Sequence, residues 1–236
     1  HSVGELQPTD AAFAVATPIL GDEIRFTNNQ GVFSTEATRQ KLGLRTLKLL
    51  NDFTALALSL PHLPAQELQQ IGGQVAVPHS AIALIGPGTG LGVSGLIPNG
   101  QGGWIPIQGE GGHVTLAGNT ERELQILAIM QQHNEHVSAE RLLSGFGLPG
   151  FYRAVAQLQG VPAQDLQPSD IAERGVQGTC PVCQEVMATF CALLGSVTGN
   201  LALTLGARGG VYLGGGILPK LGDYFLQSQF RARFES

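Results

Sequence analysis

Short apolar runs alternate along the chain with longer amphipathic segments, a pattern typical of proteins that contain both strands and helices. Residues 11–16 and 47–52 form short apolar runs that predict strands, and residues 23–27 alternate between apolar and polar positions as a half-buried strand does. Residues 81–85 are continuously apolar, which is typical of a strand buried on both faces. The pattern therefore predicts an α/β fold.

Capping residues and apolar stripes predict where the helices begin and end. One helix is expected over residues 34–42, and a second begins at a capping box and covers residues 120–132. A third is expected over residues 136–145, with Ser138 as its N-cap. These helices lie between the predicted strands, as an α/β fold requires.

Residues 187–207 carry no charge and are long enough to cross a bilayer. Polar residues such as Asn200 interrupt the stretch, and its apolar positions keep a helical stripe. Small residues, among them Gly195 and Gly199, would let other elements approach closely. We expect a buried central helix and not a membrane anchor.

A proline-rich stretch at residues 61–64 (Pro-His-Leu-Pro) indicates a hinge between two domains. We expect a small α/β domain over residues 1–62 and a large α/β domain over residues 63–236. A chain of 236 residues is long enough to form a substantial core.

The strand predicted over residues 47–52 ends in two polar residues, Asn51 and Asp52, and a helical pattern follows them. Open α/β sheets bind ligands at the carboxyl ends of their strands, so one interpretation of this pair is catalytic. The Asp52 carboxylate could accept a proton from a substrate hydroxyl, while Asn51 could hold a neighbouring hydroxyl. The alternative is that Asp52 only caps the helix.

Residues 86–92 (Gly-Pro-Gly-Thr-Gly-Leu-Gly) join the strand at 81–85 to a second apolar strand at 93–97. The dinucleotide and P-loop fingerprints are excluded, because no helix follows and the Gly-Lys-Ser/Thr sequence is missing. Two interpretations remain. The loop is either a tight structural hairpin or a nest of backbone N–H groups that wraps a phosphate, to which Thr89 would add a hydroxyl.

Three further segments place polar or small residues where a ligand could bind. Glu110 and His113 lie in a glycine-rich loop, where we interpret them as a carboxylate and an imidazole offered to a polar ligand and not as a metal pair. Glu140 falls in the first turn of the third predicted helix, where the helix dipole alone would favour an acid. Glycines 214–216 follow a strand and would allow close approach of a flat or anionic ligand.

Composition narrows the class of partner. Only 13% of the residues are charged, the net charge is −5, and lysine and arginine form no cluster. These features argue against nucleic acid or an anionic membrane as the main partner. The three cysteines, Cys180, Cys183 and Cys191, fit a reducing cytoplasm. The Cys-Pro-Val-Cys sequence lacks the further ligands of a zinc site, so we interpret all three as structural.

Taken together, five segments resemble bacterial glucokinase, a family of the hexokinase/actin-like superfamily of sugar kinases. They occur in the family's order over nearly the whole chain: Leu-Leu-Asn-Asp-Phe-Thr at 49–54, Gly-Thr-Gly-Leu-Gly at 88–92, Gly-Glu-Gly-Gly-His at 109–113, His-Val-Ser-Ala-Glu-Arg at 136–141 and Leu-Gly-Gly-Gly-Ile at 213–217. The resemblance implies a two-domain, ribonuclease H-like α/β fold with a cleft between the domains.

The resemblance also implies an activity, ATP-dependent phosphorylation of D-glucose at the 6-hydroxyl, by a cytoplasmic homodimer that uses ATP and Mg²⁺. It implies that Asp52 is the catalytic base. The glucose ligands implied by the resemblance are Asn51, Asp52, Glu110, His113 and Glu140. The nucleotide ligands implied by it are Gly88, Thr89 and Gly90 for the phosphates, and Gly214 and Gly215 for the adenosine.

Two family features are missing from this sequence. The family opens with an Asp-x-Gly-Gly-Thr-Asn phosphate loop and closes with a strand and helix beyond the position of Ser236, so we expect a glucokinase that lacks both ends. No cysteine lies shortly after the Glu-Gly-Gly-His motif, which disfavours the zinc-containing branch of sugar kinases. The missing loop leaves one alternative function, a non-catalytic sugar-binding or interaction module.

Overall fold

The computed structural model describes residues 8–17, 19, 21–25, 31–73 and 75–236, and the chain divides into two compact units, His1–Leu63 and Pro64–Ser236. Within its described residues the first unit contains four β-strands and two α-helices: β1 (Asp10–Val15), β2 (Glu23–Arg25), β3 (Val32–Ser34), α1 (Thr35–Lys41), β4 (Thr46–Asn51) and α2 (Asp52–Ser59). Strand β1 pairs in parallel with β4, and β2 pairs antiparallel with β3.

Local chemistry explains α1, the helix that the sequence predicts over residues 34–42. The Ser34 hydroxyl accepts a hydrogen bond from the N–H of Ala37 and starts α1, while Gly43 takes a positive φ of 65° just beyond its end. The strand predicted over 23–27 is confirmed as β2 as far as Arg25. Residues 26 and 27 lie outside the described part of the chain.

The second unit is built on a four-stranded sheet in the order β7-β6-β5-β8. Its strands are β5 (Ile82–Pro87), β6 (Leu91–Pro98), β7 (Trp104–Gln108) and β8 (Val211–Leu213). All six residues of β5 are buried, as the continuous apolar run predicts, because β5 lies between two neighbours. Strand β5 runs antiparallel to β6 and parallel to β8. The sequence analysis did not predict β7.

Helices supply most of the core of this unit. They are α3 (Glu121–Gln131), α4 (Leu148–Leu158), α5 (Pro168–Val176), α6 (Pro181–Leu205), α7 (Leu218–Leu221), α8 (Asp223–Leu226) and α9 (Phe230–Phe234). The predicted capping box of α3 is confirmed, since the Thr120 hydroxyl accepts from the N–H of Glu123 and the Glu123 carboxylate accepts from the N–H of Thr120. Helices α4 and α5 were not predicted.

Helix α6 contains most of the uncharged stretch in which the sequence predicts a helix, and it packs against α4, α5 and α9. A Cβ on Gly195 would lie 2.3 Å from the Phe230 carbonyl oxygen, so only a residue this small allows α9 to approach so closely. Within the described chain, α6 alone is long and apolar enough to cross a membrane, and half of its apolar stretch is buried. Its first half lies in the core, whereas Leu203 near its end is 83% exposed.

The prediction of a helix over residues 136–145 is wrong. The structure has only a single 3₁₀ turn, Ala139–Arg141, and the Ser138 side chain makes no capping hydrogen bond. Tertiary contacts explain why no helix forms, because the backbone groups of this segment form hydrogen bonds with other parts of the unit. The N–H of Ala139 donates to the carbonyl of Val114, and the N–H of Gly145 donates to the carbonyl of Gly88.

We expect the Glu123→Gln substitution to lower the free energy of unfolding of the second unit by about 3 kcal/mol, the usual effect of breaking a buried ion pair. Glu123 is 4% exposed and lies 2.7 Å from Arg233 of α9, so the substitution leaves a largely buried guanidinium, 16% exposed, without its counter-charge. Urea unfolding measures the effect. Glu121→Gln, on an exposed position of the same helix, is the control and should change stability by less than about 0.5 kcal/mol.

The ion pair between Glu123 and Arg233 should make the free energy of unfolding depend on pH. Burial is the largest influence on Glu123 and opposes its ionisation. The hydrogen bonds from Arg233 and from the N–H groups of Asn119 and Thr120, together with the charge of Arg233, outweigh burial and hold the pKa of Glu123 below its ordinary value. A carboxyl group with a lowered folded-state pKa stabilises the protein above its unfolded pKa of about 4.3, and this contribution is lost as the pH falls through the folded pKa. Wild type and Glu123→Gln should therefore converge in stability at acid pH, and a constant difference would contradict the prediction.

Candidate active site

Asn51 and Asp52 lie where β4 passes into α2, in the first unit. Asn51 is the N-cap of α2, since its Oδ1 accepts from the N–H groups of Phe53 and Thr54 at 3.0 and 3.2 Å. The alternative that Asp52 is the cap is therefore wrong. Asp52 is the first residue of the helix, and its exposed carboxylate accepts from the Phe53 N–H at 2.9 Å. The cap leaves the amide NH₂ of Asn51 free to donate to a ligand.

The glycine-rich loop of the second unit is a hairpin between β5 and β6, as predicted. The Gly88 N–H donates to the Gly90 carbonyl at 2.8 Å and closes the turn. The N–H groups of Thr89 and Gly90 make no hydrogen bond within the described chain, and the Thr89 side chain is exposed. Two unpaired backbone donors beside a free hydroxyl form a suitable site for phosphate oxygens.

Glu140 connects this hairpin to the histidine loop. Its Oε2 accepts from the Leu91 N–H at 2.9 Å, and its Oε1 lies 3.9 Å from Nδ1 of His113. A Cβ on Gly90 would lie 2.6 Å from Oε2, so the carboxylate sits directly against the turn. The helix-dipole explanation of Glu140 is wrong, since no helix forms here and the carboxylate bonds to a distant strand.

Glu110 and His113 are joined by a 3₁₀ turn, Gly111–His113, in which the His113 N–H donates to the Glu110 carbonyl at 2.9 Å. Both side chains are exposed. Gly112 is buried below them, and a Cβ there would lie 2.1 Å from the carbonyl oxygen of Leu91. The turn is therefore held against the start of β6.

We expect Gly112→Ala to displace this turn and to lower the free energy of unfolding by about 1–3 kcal/mol, the usual cost of overpacking. The added methyl group would overlap a backbone carbonyl that cannot rotate away. Gly109→Ala is the matched control, since a Cβ at Gly109 meets nothing within 4 Å. Equal stability of the two variants in urea unfolding would contradict this account.

A cavity of about 440 Å³ opens beside Glu140. Its lining residues are His113, His133, Asn134, Glu135, His136, Ser138, Glu140, Arg141 and Phe146. Sequence reasoning missed the contribution of His133 and the stacking of Arg141 over Phe146, whose ring centroid lies 5.5 Å from the guanidinium carbon. These side chains show no periodic spacing, and the bridge between Thr115 and Ser138 brings them together only in the fold.

Glycines 214–216 lie at the end of β8 beside the end of β5. The Gly214 N–H donates to the Ile85 carbonyl at 2.9 Å. Gly215 has a φ of 82°, and a Cβ there would lie 2.3 Å from the Pro87 carbonyl oxygen, so glycine is required for this approach. The ends of the two strands therefore place Gly214 and Gly215 next to the strand that leads into the phosphate-compatible turn.

The mixed α/β fold is that of the sugar kinases. The turn between β5 and β6 carries free backbone donors, with the Glu140 carboxylate and the His113 imidazole nearby. The solved glucokinase from an Antarctic psychrotroph has the same fold, with a TM-score of 0.89 and 36% sequence identity. The match covers 98% of this chain and 71% of that protein.

Sequence comparison identifies the family within that class. The glucokinase family model matches residues 2–236. A glucokinase of Aromatoleum aromaticum is 55% identical over 228 residues, which are 97% of this chain and 69% of the relative. A glucokinase of Chromobacterium violaceum is 54% identical over 233 residues, which are 99% of this chain and 67% of the relative. The chain belongs to the glucokinase family.

Proposed function

We propose that the protein transfers the γ-phosphoryl group of ATP to the 6-hydroxyl of D-glucose and releases glucose 6-phosphate and ADP. Membership of the glucokinase family carries this conclusion. Phosphoryl transfer depends mainly on positioning and charge stabilisation, with one residue to orient or deprotonate the acceptor. The described side chains suit those tasks.

Asp52 is the proposed base for the 6-hydroxyl. Its carboxylate is exposed at the first position of α2. Asn51 is the proposed neighbour that binds a sugar hydroxyl. Since its Oδ1 is occupied as the N-cap, we assign the amide NH₂ as the group that donates to glucose.

Glu110, His113 and Glu140 are the proposed ligands of the other glucose hydroxyls. A sugar hydroxyl both donates and accepts, so carboxylates and an imidazole together satisfy it. Glu140 keeps Oε1 available on the side of His113, while its Oε2 is bonded to Leu91. We therefore assign Oε1 to glucose and Oε2 to the support of the hairpin.

The turn at Gly88, Thr89 and Gly90 is the proposed phosphate site, and Gly214 and Gly215 are proposed to flank the adenosine. Among the described residues, no group of three His, Cys, Asp or Glu side chains is placed to hold a metal ion. Mg²⁺ commonly binds through the phosphates of its substrate with only one or two protein carboxylates. We propose that Mg²⁺ enters with ATP.

The organisation of the enzyme beyond the site is also a proposal. We assign residues 1–62 to the small domain and residues 63–236 to the large domain of a sugar kinase, and we propose a cytoplasmic homodimer. Sedimentation velocity of the purified protein tests the dimer, and a monomer at micromolar concentration would reject it.

The function is tested by coupling glucose 6-phosphate formation to NADPH production with the full-length gene product. We expect turnover that requires both glucose and ATP and stops when EDTA removes Mg²⁺. Binding of glucose without any ADP release would instead support the non-catalytic sugar-binding module.

A further inference from the structure

Cys180 and Cys183 lie in the first turn of α6, a position that the sequence analysis did not assign to them. Cys180 is the N-cap, and its sulfur accepts from the N–H of Cys183 at 3.5 Å. Pro181, the first residue of the helix, holds the intervening backbone at a fixed φ. The Cys180 sulfur thus lies against the backbone of Cys183, at the start of the same helix.

The two thiols differ in access to solvent. Cys180 is half-buried and Cys183 is fully buried. A small oxidant can therefore reach the first sulfur but not the second. Cys191, further along the same helix, is also fully buried and provides an internal reference without a neighbouring cysteine one turn away.

The pKa values of the two thiols also differ, and the more accessible thiol is the more acidic one. Burial opposes ionisation of Cys180, but the N–H and the thiol of Cys183 donate to its sulfur, and the net effect lowers the pKa of Cys180. The charge of Arg174 adds to this effect. Burial and the adjacent Cys180 raise the pKa of Cys183 to about 12. A half-buried, more acidic thiol next to a fully buried one is the arrangement of an attacking and a resolving cysteine.

We propose that Cys180 and Cys183 form a reversible dithiol–disulfide site, in which Cys180 reacts with a small-molecule disulfide and Cys183 resolves the product. This site is independent of the glucose and ATP residues, and no described residue assigned to catalysis takes part in it.

The exchange proceeds in two steps. The Cys180 thiolate attacks one sulfur of oxidised glutathione, the glutathione S–S bond breaks, and one glutathione thiolate leaves and takes up a proton. The resulting mixed disulfide no longer carries charge on Cys180, so one of the causes that raise the pKa of Cys183 is removed. Cys183 then loses its proton and attacks the Cys180 sulfur, releasing the second glutathione. The protein sulfurs lose two electrons, and oxidised glutathione is reduced to two thiols.

The packing around Cys183 restricts where this bond can form. A Cβ on Gly175 of α5 would lie 2.6 Å from the Cys183 carbonyl oxygen, so α5 and α6 are in close contact at this point. Cys183 therefore stays in place and the half-buried Cys180 supplies the movement. The bridge would fix the N-terminal turn of α6 without moving the helix.

The proposal is tested by incubating the native full-length protein with oxidised glutathione and alkylating the remaining thiols. Cleavage after Glu173 and Glu185 yields residues 174–185, which hold both cysteines, and leaves Cys191 on another fragment. We expect the fragment with both cysteines to escape alkylation and to be lighter than its reduced, unalkylated form by the mass of two hydrogens. Dithiothreitol should restore the two thiols. Cys191 is buried, so its reaction with oxidised glutathione should be at least about tenfold slower than that of Cys180.

Two variants separate the roles of the thiols. Cys183→Ser should stop at a mixed disulfide on Cys180, and Cys180→Ser, which keeps a capping oxygen, should accumulate neither product. Urea unfolding verifies that each variant is folded. The proposal is overturned if the wild-type fragment keeps two free thiols, or if Cys183 is glutathionylated as readily in Cys180→Ser as Cys180 is in Cys183→Ser.

Discussion

Asp52→Asn is expected to lower kcat by about 10²–10⁴-fold, the range for losing a general base, with glucose affinity almost unchanged. Asparagine has nearly the same shape, and its Oδ1 can still accept from the Phe53 N–H, so the start of α2 should be retained. Steady-state kinetics with glucose and ATP, together with calorimetry of glucose binding, separates a chemical defect from a binding defect.

The matched control for this variant is Asp223→Asn. Asp223 is likewise the exposed first residue of a helix, α8, so the substitution makes the same change of charge in a similar setting. It should leave kcat within about twofold of wild type, as surface substitutions usually do. Near-normal turnover of Asp52→Asn would remove Asp52 from the role of base.

Glu140→Ala is expected to weaken glucose binding by about 1–3 kcal/mol, because polar groups of the ligand lose their partner. The structure adds a second effect. Removal of Oε2 leaves the Leu91 N–H without its acceptor and releases the hairpin that presents Thr89 and Gly90. ATP affinity should therefore fall as well, by about tenfold, the equivalent of about 1.4 kcal/mol. Calorimetry with each ligand measures both losses.

Glu140→Gln distinguishes the two roles of the side chain. Its amide oxygen can still accept from Leu91, so the hairpin and ATP affinity should be preserved, whereas the loss of charge should still weaken glucose binding. If Glu140→Ala reduces glucose affinity alone, the carboxylate does not support the phosphate turn. If both variants lose ATP affinity equally, charge and not the hydrogen bond is the cause.

The sequence could predict those parts of the fold whose causes are local. The apolar run at 81–85 requires two neighbouring strands, and the glycines that follow it favour a turn, so β5 and the hairpin were both predictable. The capping box of α3 is a signal within four residues. Strand β7 could not be predicted, because Pro106 interrupts its short apolar run and proline is uncommon within strands.

The parts that could not be predicted depend on contacts distant in sequence. The sequence predicts a helix over residues 136–145, yet the Gly145 N–H donates to the carbonyl of Gly88 and Glu140 bonds to Leu91. Each bond joins positions about fifty residues apart, so no local pattern reveals it. The start of α6 was different, because Pro181 at its first position is a local signal that the sequence analysis did not use.

The two oxygens of Glu140 have a thermodynamic consequence. If one oxygen binds glucose while the other steadies the turn that binds ATP, occupancy of either site changes the free energy of filling the other. Such linkage is reciprocal, so the factor by which a bound nucleotide raises the affinity for glucose must equal the factor by which glucose raises the affinity for the nucleotide. A single carboxylate shared between the two sites would favour the ternary complex, in which transfer takes place, over either binary complex.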